Sequence, residues 1–156
     1  MAKKTKQSNT LPIYILNGPN LNLLGEREPE VYGYTTLAQI GKMCEAQAAQ
    51  YGLATIFRQS NREGEIVDHL QEARTSASAV IINPAGYGHT SVAILDSILA
   101  LKIPVIEVHL SNIHRRDPFR SHSYVSKGAT GIVMGLGAQG YLRAVDAIAE
   151  ILKVKK

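Results

Sequence analysis

The chain has a single cysteine, Cys44, which excludes an internal disulfide. Cys44 lies among Met43, Ala46 and Ala48 in a helical pattern and reads as a small core residue rather than a nucleophile. No apolar run approaches the ~18–20 residues that cross a membrane. The opening MAKKTKQSNT is polar and lacks the apolar stretch of a secretory signal, so the expectation is a cytoplasmic protein without a membrane partner. There is no G-x-S-x-G elbow, no Walker lysine and no Cys/His spacing suited to a metal, so neither metal nor cofactor is expected. Outside the two ends the only lysines are Lys42, Lys102 and Lys127. None lies in a polar cluster, which argues against an imine mechanism.

A net charge of +4 invites a nucleic-acid reading. Its distribution opposes one. Lys3, Lys4, Lys6, Lys153, Lys155 and Lys156 all sit in the ends, leaving 11 basic residues against 13 acidic ones in the body. A body of that sign is a poor footprint for a phosphate backbone, and the ends read as solvated tails. The 156 residues, 45 % of them hydrophobic, suit one domain with a real core. We place that domain at 11–152, with a polar tail at 1–10 and a basic one at 153–156.

Apolar runs at 11–16, 53–58, 79–83, 104–108 and 130–134 predict five buried strands. Between and after them, 35–51, 63–75, 91–101 and 138–152 carry apolar residues at helical spacing. This alternation predicts an α/β fold: a parallel sheet covered on both faces, three layers, flavodoxin-like, with strand order 2-1-3-4-5. Gly135, Gly137 and Gly140 match G-x-G-x-x-G. The motif falls in the last βα unit, with no later strand to carry a ribose partner, and reads as turn formation and close helix packing.

In such sheets ligands bind beyond the carboxyl ends of the strands. The distinctive polar residues collect there: Asn20, Arg27 and Tyr32 after strand one, Asn83 and His89 after strand three, and Glu107, His109, Ser111, Asn112 and Arg120 at and after strand four. Residues 17–33 are far longer than the ~2–6 residues that usually join a strand to a helix. Gly25 and Gly33 bracket Arg27 and Tyr32, which suits a hinged flap over a site.

A phenol ionises near pH ~10, and a neighbouring guanidinium favours its charged form. Tyr32 is therefore a candidate general base, although the residues alone leave open a tyrosine that only packs its ring into the loop. Glu107 and His109 share one face of their strand, so the carboxylate can orient the imidazole as a proton donor. The segment leading to Ser91 can hold an anion or hydroxyls. Asp96, if buried, needs a partner: a hydroxyl, an arginine across a subunit boundary, or a plain structural ion pair. Arg120 can pair with a carboxylate or lie on the surface. His69, His114, Arg115 and Arg116 read as surface residues.

The stretches NGPNLNLLGEREPEVYG, INPAGYGHTSVAILD, IEVHLSNIHRRDPFRSHSY and GLGAQGYLRAV together resemble the type II 3-dehydroquinate dehydratases, over about residues 11–152. The resemblance implies a hydro-lyase of the shikimate pathway, in aromatic amino acid and chorismate biosynthesis. It implies conversion of 3-dehydroquinate to 3-dehydroshikimate through an enolate by anti elimination, without metal or imine, in a homododecamer built as a tetramer of trimers. It implies that Tyr32 is the base, Arg27 the flap residue sustaining the phenolate, Asn20 the group steadying the enolate oxygen, and His109 the acid held by Glu107. Asn83, His89, Asp96, Leu110, Ser111 and Arg120 match substrate-binding positions. Two departures stand out: Gly88 where threonine is usual, expected to loosen the His89 turn, and Ser121 where histidine is common. The rival classes are an FMN-binding electron carrier of the flavodoxin type and a receiver-like module. A receiver requires acidic residues after strand one, where this chain has Asn17 and Asn20.

Overall fold

The computed structural model describes residues 10–156; most of the expected N-terminal tail, residues 1–9, lies outside them. Five parallel strands form one sheet in the order β2-β1-β3-β4-β5. They are β1 (Ile13–Asn17), β2 (Thr55–Gln59), β3 (Ala79–Asn83), β4 (Val105–His109) and β5 (Gly131–Met134). The helices are a single turn, α1 (Pro29–Tyr32), and four longer elements: α2 (Leu37–Ala49), α3 (Glu63–Ser76), α4 (Val92–Leu99) and α5 (Gln139–Ile151).

The inner strands are apolar on both faces because both faces are covered. Every residue of β1, β3 and β4 is buried, while β2 and β5 at the edges are only partly so. Alternate residues feed opposite layers. Ile13, Ile15, Ile81, Ile106 and Val108 pack with Ile40, Cys44 and Ala48 of α2 and with Tyr141, Val145 and Ile148 of α5. Tyr14, Leu16, Val80, Ile82 and Val105 pack with Ile66 and Leu70 of α3 and with Ile94 and Ile98 of α4. Cys44 belongs to the first core, and burial pushes its thiol up to about 12, as suits an inert filler.

Helix starts follow local chemistry. Thr36 and Gln39 form a reciprocal capping box on α2, and Ser91 Oγ accepts from the Ile94 N–H at 2.9 Å to open α4. Most elements are shorter than the sequence pattern predicts, since apolarity runs past the hydrogen-bonded ladder; β3 has the predicted bounds, β4 is shifted by one residue and α3 is one residue longer. Leu11 is exposed before β1, and Leu53 is buried in the turn after α2, where Gly52 takes a positive φ. At α5 the Gly-rich motif acts as read: Gly135 and Gly137 have positive φ, and a Cβ on Gly140 would touch Val133 and Val108 at 3.4 and 3.6 Å. The C-terminal residues run along the body rather than away from it. Val154 packs on the first core, and Lys156 Nζ lies 5.3 Å from the Tyr51 ring centroid. Among the described residues no helix is long and apolar enough to cross a membrane.

Candidate active site

The chain beyond the carboxyl ends of β1, β3 and β4 encloses a cavity of about 150 Å³. Its floor is built by register. Asn17 pairs with Gln59 on one side and with Asn83 on the other, so three amide side chains finish level. Tyr141, fully buried on α5, ties two of them together: its hydroxyl donates to Asn17 Oδ1 at 2.7 Å and accepts from Asn83 Nδ2 at 2.9 Å. Asn83 Oδ1 accepts from the Ala85 N–H at 3.1 Å, which fixes the orientation of that amide. Burial raises the Tyr141 phenol well above its ordinary range and keeps it neutral.

Gly18 follows β1 in close contact with the β3 loop. A Cβ there would lie 2.3 Å from the Pro84 carbonyl oxygen, so glycine alone fits. Asn20 then takes a left-handed conformation, φ 67°. The Asn61 side chain holds it, Oδ1 accepting from the Asn20 N–H at 3.0 Å. Asn61 is itself held, by Gln59 Nε2 at 3.1 Å on the same oxygen and by the Tyr87 hydroxyl at 2.6 Å on its carbonyl.

The flap is only partly free. Leu21 and Leu24 are buried in the core, and the segment closes through a 3-10 turn (Leu21–Leu23) and the single turn α1. Tyr32 ends α1 and lines the cavity. Two guanidiniums face its ring, Arg27 and Arg116, each with Cζ 5.1 Å from the centroid. Arg27 also pairs with Glu28 at 3.2 Å, whereas among the described residues Arg116 donates only to Ser111 Oγ, at 3.4 Å. Arg116 lines the cavity, which corrects its reading as a surface residue; nothing in its sequence neighbourhood separates it from the exposed Arg115.

His109, 5 % exposed, donates its Nε2–H to Glu107 Oε1 at 2.7 Å. Nδ1 makes no bond among the described residues and is the nitrogen left for the cavity that His109 lines. Glu107 is fully buried. Burial pushes its carboxyl up, but hydrogen bonds from His109, Ser123 and Ser126 together hold it below the usual carboxylate range. The His89 ring stacks at 6.4 Å and 18° on that of His109. Its Nδ1–H donates to the His122 carbonyl at 2.7 Å, which leaves Nε2 an acceptor in the neutral ring. Burial first, and then the positive groups around it, hold His89 below the ordinary imidazole range despite the His122 carbonyl.

Of the residues singled out in the sequence, Asn20, Arg27, Tyr32, Asn83, His89, His109, Leu110, Ser111 and Arg120 all line this cavity. Glu107 lies behind His109. Asp96 does not line this cavity: it is exposed on α4 with no side-chain partner among the described residues, so the case of a buried Asp96 within the chain does not arise. Gly88 does not leave its turn loose. It is buried, its carbonyl accepts from the Tyr124 N–H at 2.8 Å, and a Cβ would meet Pro84 Cγ at 2.9 Å. Sequence reading missed Arg116 in the lining and Asn61, Tyr141, Ser123 and Ser126 behind it. Only the serines left a signal, as two hydroxyls three residues apart.

Among the described residues no group of three His, Cys, Asp or Glu is placed to hold a metal, and no lysine lines the cavity. Comparison with known proteins points one way. The profile of the family described as Dehydroquinase class II matches residues 11–149. The chain is 58 % identical over 141 residues to the 3-dehydroquinate dehydratase of a Caulobacter species, covering 90 % of this chain and 96 % of that protein. It is 57 % identical over 141 residues to the enzyme of the same name from Streptomyces coelicolor, covering 90 % of both. Among solved structures, type II dehydroquinase from Propionibacterium acnes superposes with a TM-score of 0.87 at 40 % identity, covering 90 % of this chain and 97 % of that one. The same enzyme from Butyrivibrio crossotus gives 0.87 at 36 %, covering 89 % and 97 %. Sheet order, cavity and these matches over nearly the whole length agree: the chain belongs to the class II dehydroquinase family.

Proposed function

We propose that this chain is a hydro-lyase that dehydrates 3-dehydroquinate to 3-dehydroshikimate, reversibly, within the shikimate pathway. The observation that carries the reading is one cavity holding a tyrosine faced by two guanidiniums together with a histidine backed by a buried carboxylate. A base and an acid of different character are what an elimination beside a ketone requires.

Tyr32, as phenolate, takes the proton from the carbon adjacent to the ketone. Arg27 and Arg116 stabilise the phenolate, and the enolate oxygen that forms is steadied by Asn20, directly or through water. The electron pair of the enolate then expels the hydroxyl, which leaves as water with a proton from His109. Leu110 and Ser111, through backbone N–H and hydroxyl, grip the substrate carboxylate with Arg120, which Asp117 holds at 3.3 Å. Asn83 and His89 meet the ring hydroxyls. Closure of the flap excludes water and strengthens each of these interactions.

Asp96 enters the same reading from a neighbouring copy. It lies on the outward face of α4 between Val92 and Leu99, 51 % and 61 % exposed, which are apolar enough to seek a partner surface. The homododecamer, a tetramer of trimers, and a cytoplasmic location are part of the proposal. The test is the ultraviolet absorbance of the conjugated enone formed from 3-dehydroquinate. The parent protein should generate it, and Tyr32→Phe should bind ligand yet turn over at least ~10²-fold more slowly. No enone from the parent defeats the activity; near-normal turnover by Tyr32→Phe defeats the assignment of the base.

A further inference from the structure

Glu107 is the one acid among the fully buried described residues, and it is surrounded by donors. Oε1 meets His109 Nε2 at 2.7 Å and accepts from Ser123 Oγ–H at 2.5 Å; Oε2 accepts from Ser126 Oγ–H. A hydroxyl has one hydrogen, and both serines commit theirs to this carboxylate. Neither serine lines the cavity. They are held in place by what lies between and beside them. Val125 is fully buried with Ile94 and Ile98 of α4 in the second core, and Gly128 sits so tightly that a Cβ would meet Ile98 Cγ2 at 2.9 Å. The strands flanking Glu107 offer only Ile82 and Ile132 at the paired positions. The ionisable group against Glu107 is His109; beyond it His89 stacks on His109, and His122 and Arg120 lie around His89; the one ionisable residue of α4, Asp96, is exposed. Without the serines, a carboxylate in this place would have one donor for two oxygens and no exposure to solvent, an arrangement that favours its protonated form.

We propose that Ser123 and Ser126 are positioning residues of this site: their hydroxyls keep the Glu107 carboxylate charged and in one rotamer, and through it hold His109 with Nε2 engaged and Nδ1 free for the leaving hydroxyl. The inference rests on the proposed role of His109 as acid, but its first readout does not depend on turnover. The removal of donors that hold the carboxyl down lets burial push it up. In Ser123→Ala/Ser126→Ala, the carbon-13 titration of the Glu107 carboxyl should therefore move up by about one pH unit or more. The acid-side limb of the pH–rate profile should rise with it. One pH unit below the shifted midpoint, kcat should fall about tenfold from its own plateau, with KM within about twofold. Ser126→Thr, which keeps a hydroxyl, should behave as the parent.

If the carboxyl titration moves and turnover does not, His109 is not the acid: that assignment in the functional reading fails, and of this proposal only the hold of the serines on Glu107 stands. If turnover falls while the titration stays in place, or if neither changes, the serines are only structural and the proposal is overturned. Should the double variant not fold, each single variant is read by the same two measurements.

Discussion

Arg116→Met removes a charge and keeps much of the side chain's length. The guanidinium lies 5.1 Å from the Tyr32 ring centroid. A phenolate at about that distance gains roughly 3 kcal/mol at an effective dielectric near 20, and under 1 kcal/mol in full water. Arg116 is partly buried, so a loss of about 1–2 kcal/mol is expected, a fall of roughly 5- to 30-fold in kcat/KM. Arg27 is at the same distance, but its charge is partly met by Glu28 at 3.2 Å, and it is 37 % exposed. Arg116→Met should therefore cost at least as much as Arg27→Met, although Arg27 is the residue the sequence draws attention to. The assay is enone formation in a cycle with Tyr32→Phe. If Arg116 acts through the phenolate, its removal should cost little once the phenol is gone. Activity of Arg116→Met within twofold of the parent, or an equal loss in both backgrounds, refutes the reasoning.

Asn61→Ala should lower kcat by about fivefold, because the left-handed Asn20 loses the acceptor that holds it; Asn61→Asp should retain activity, since both bonds to this side chain are accepted by Oδ1. Tyr141→Phe strands Asn17 Oδ1 and Asn83 Nδ2 in a buried place and should cost roughly 2–4 kcal/mol in denaturant unfolding; an unchanged midpoint would show that the two amides find other partners. Glu72 is held at about 2, first by its hydrogen bond from Arg58 and then by Tyr14. Its folded pKa is depressed, so its contribution to stability is present above the unfolded value of about 4.3 and is lost as pH falls toward about 2. In Glu72→Gln the melting temperature should fall less steeply across that window; identical slopes would remove Glu72 from the acid response.

The gap between reading and structure has a pattern. Side-chain alternation in β4 is enough to put Glu107 and His109 on one face, and helical spacing is enough to find α2 through α5. Alternation says nothing of what covers that face. Ser123 and Ser126 come from a polar stretch with no period, made of 3-10 turns whose anchor is one buried valine. Tyr141 sits at a core position of an amphipathic helix and looks like filler, because its hydroxyl's partners are more than 50 residues away. Arg115 and Arg116 are neighbours of the same type, and the turn at Ile113–Arg115 exposes one and aims the other at Tyr32.

By itself the sequence determined the order of strands and helices, the end of the sheet that carries the chemistry and most of the residues lining the cavity. These follow from short-range periodicity and from motifs whose residues are close in the chain. Tertiary structure alone decided which of two arginines reaches the phenol, which hydroxyls meet a buried carboxylate, and that Asp96 faces outward. Those outcomes depend on packing between segments far apart in the chain, which no local pattern encodes.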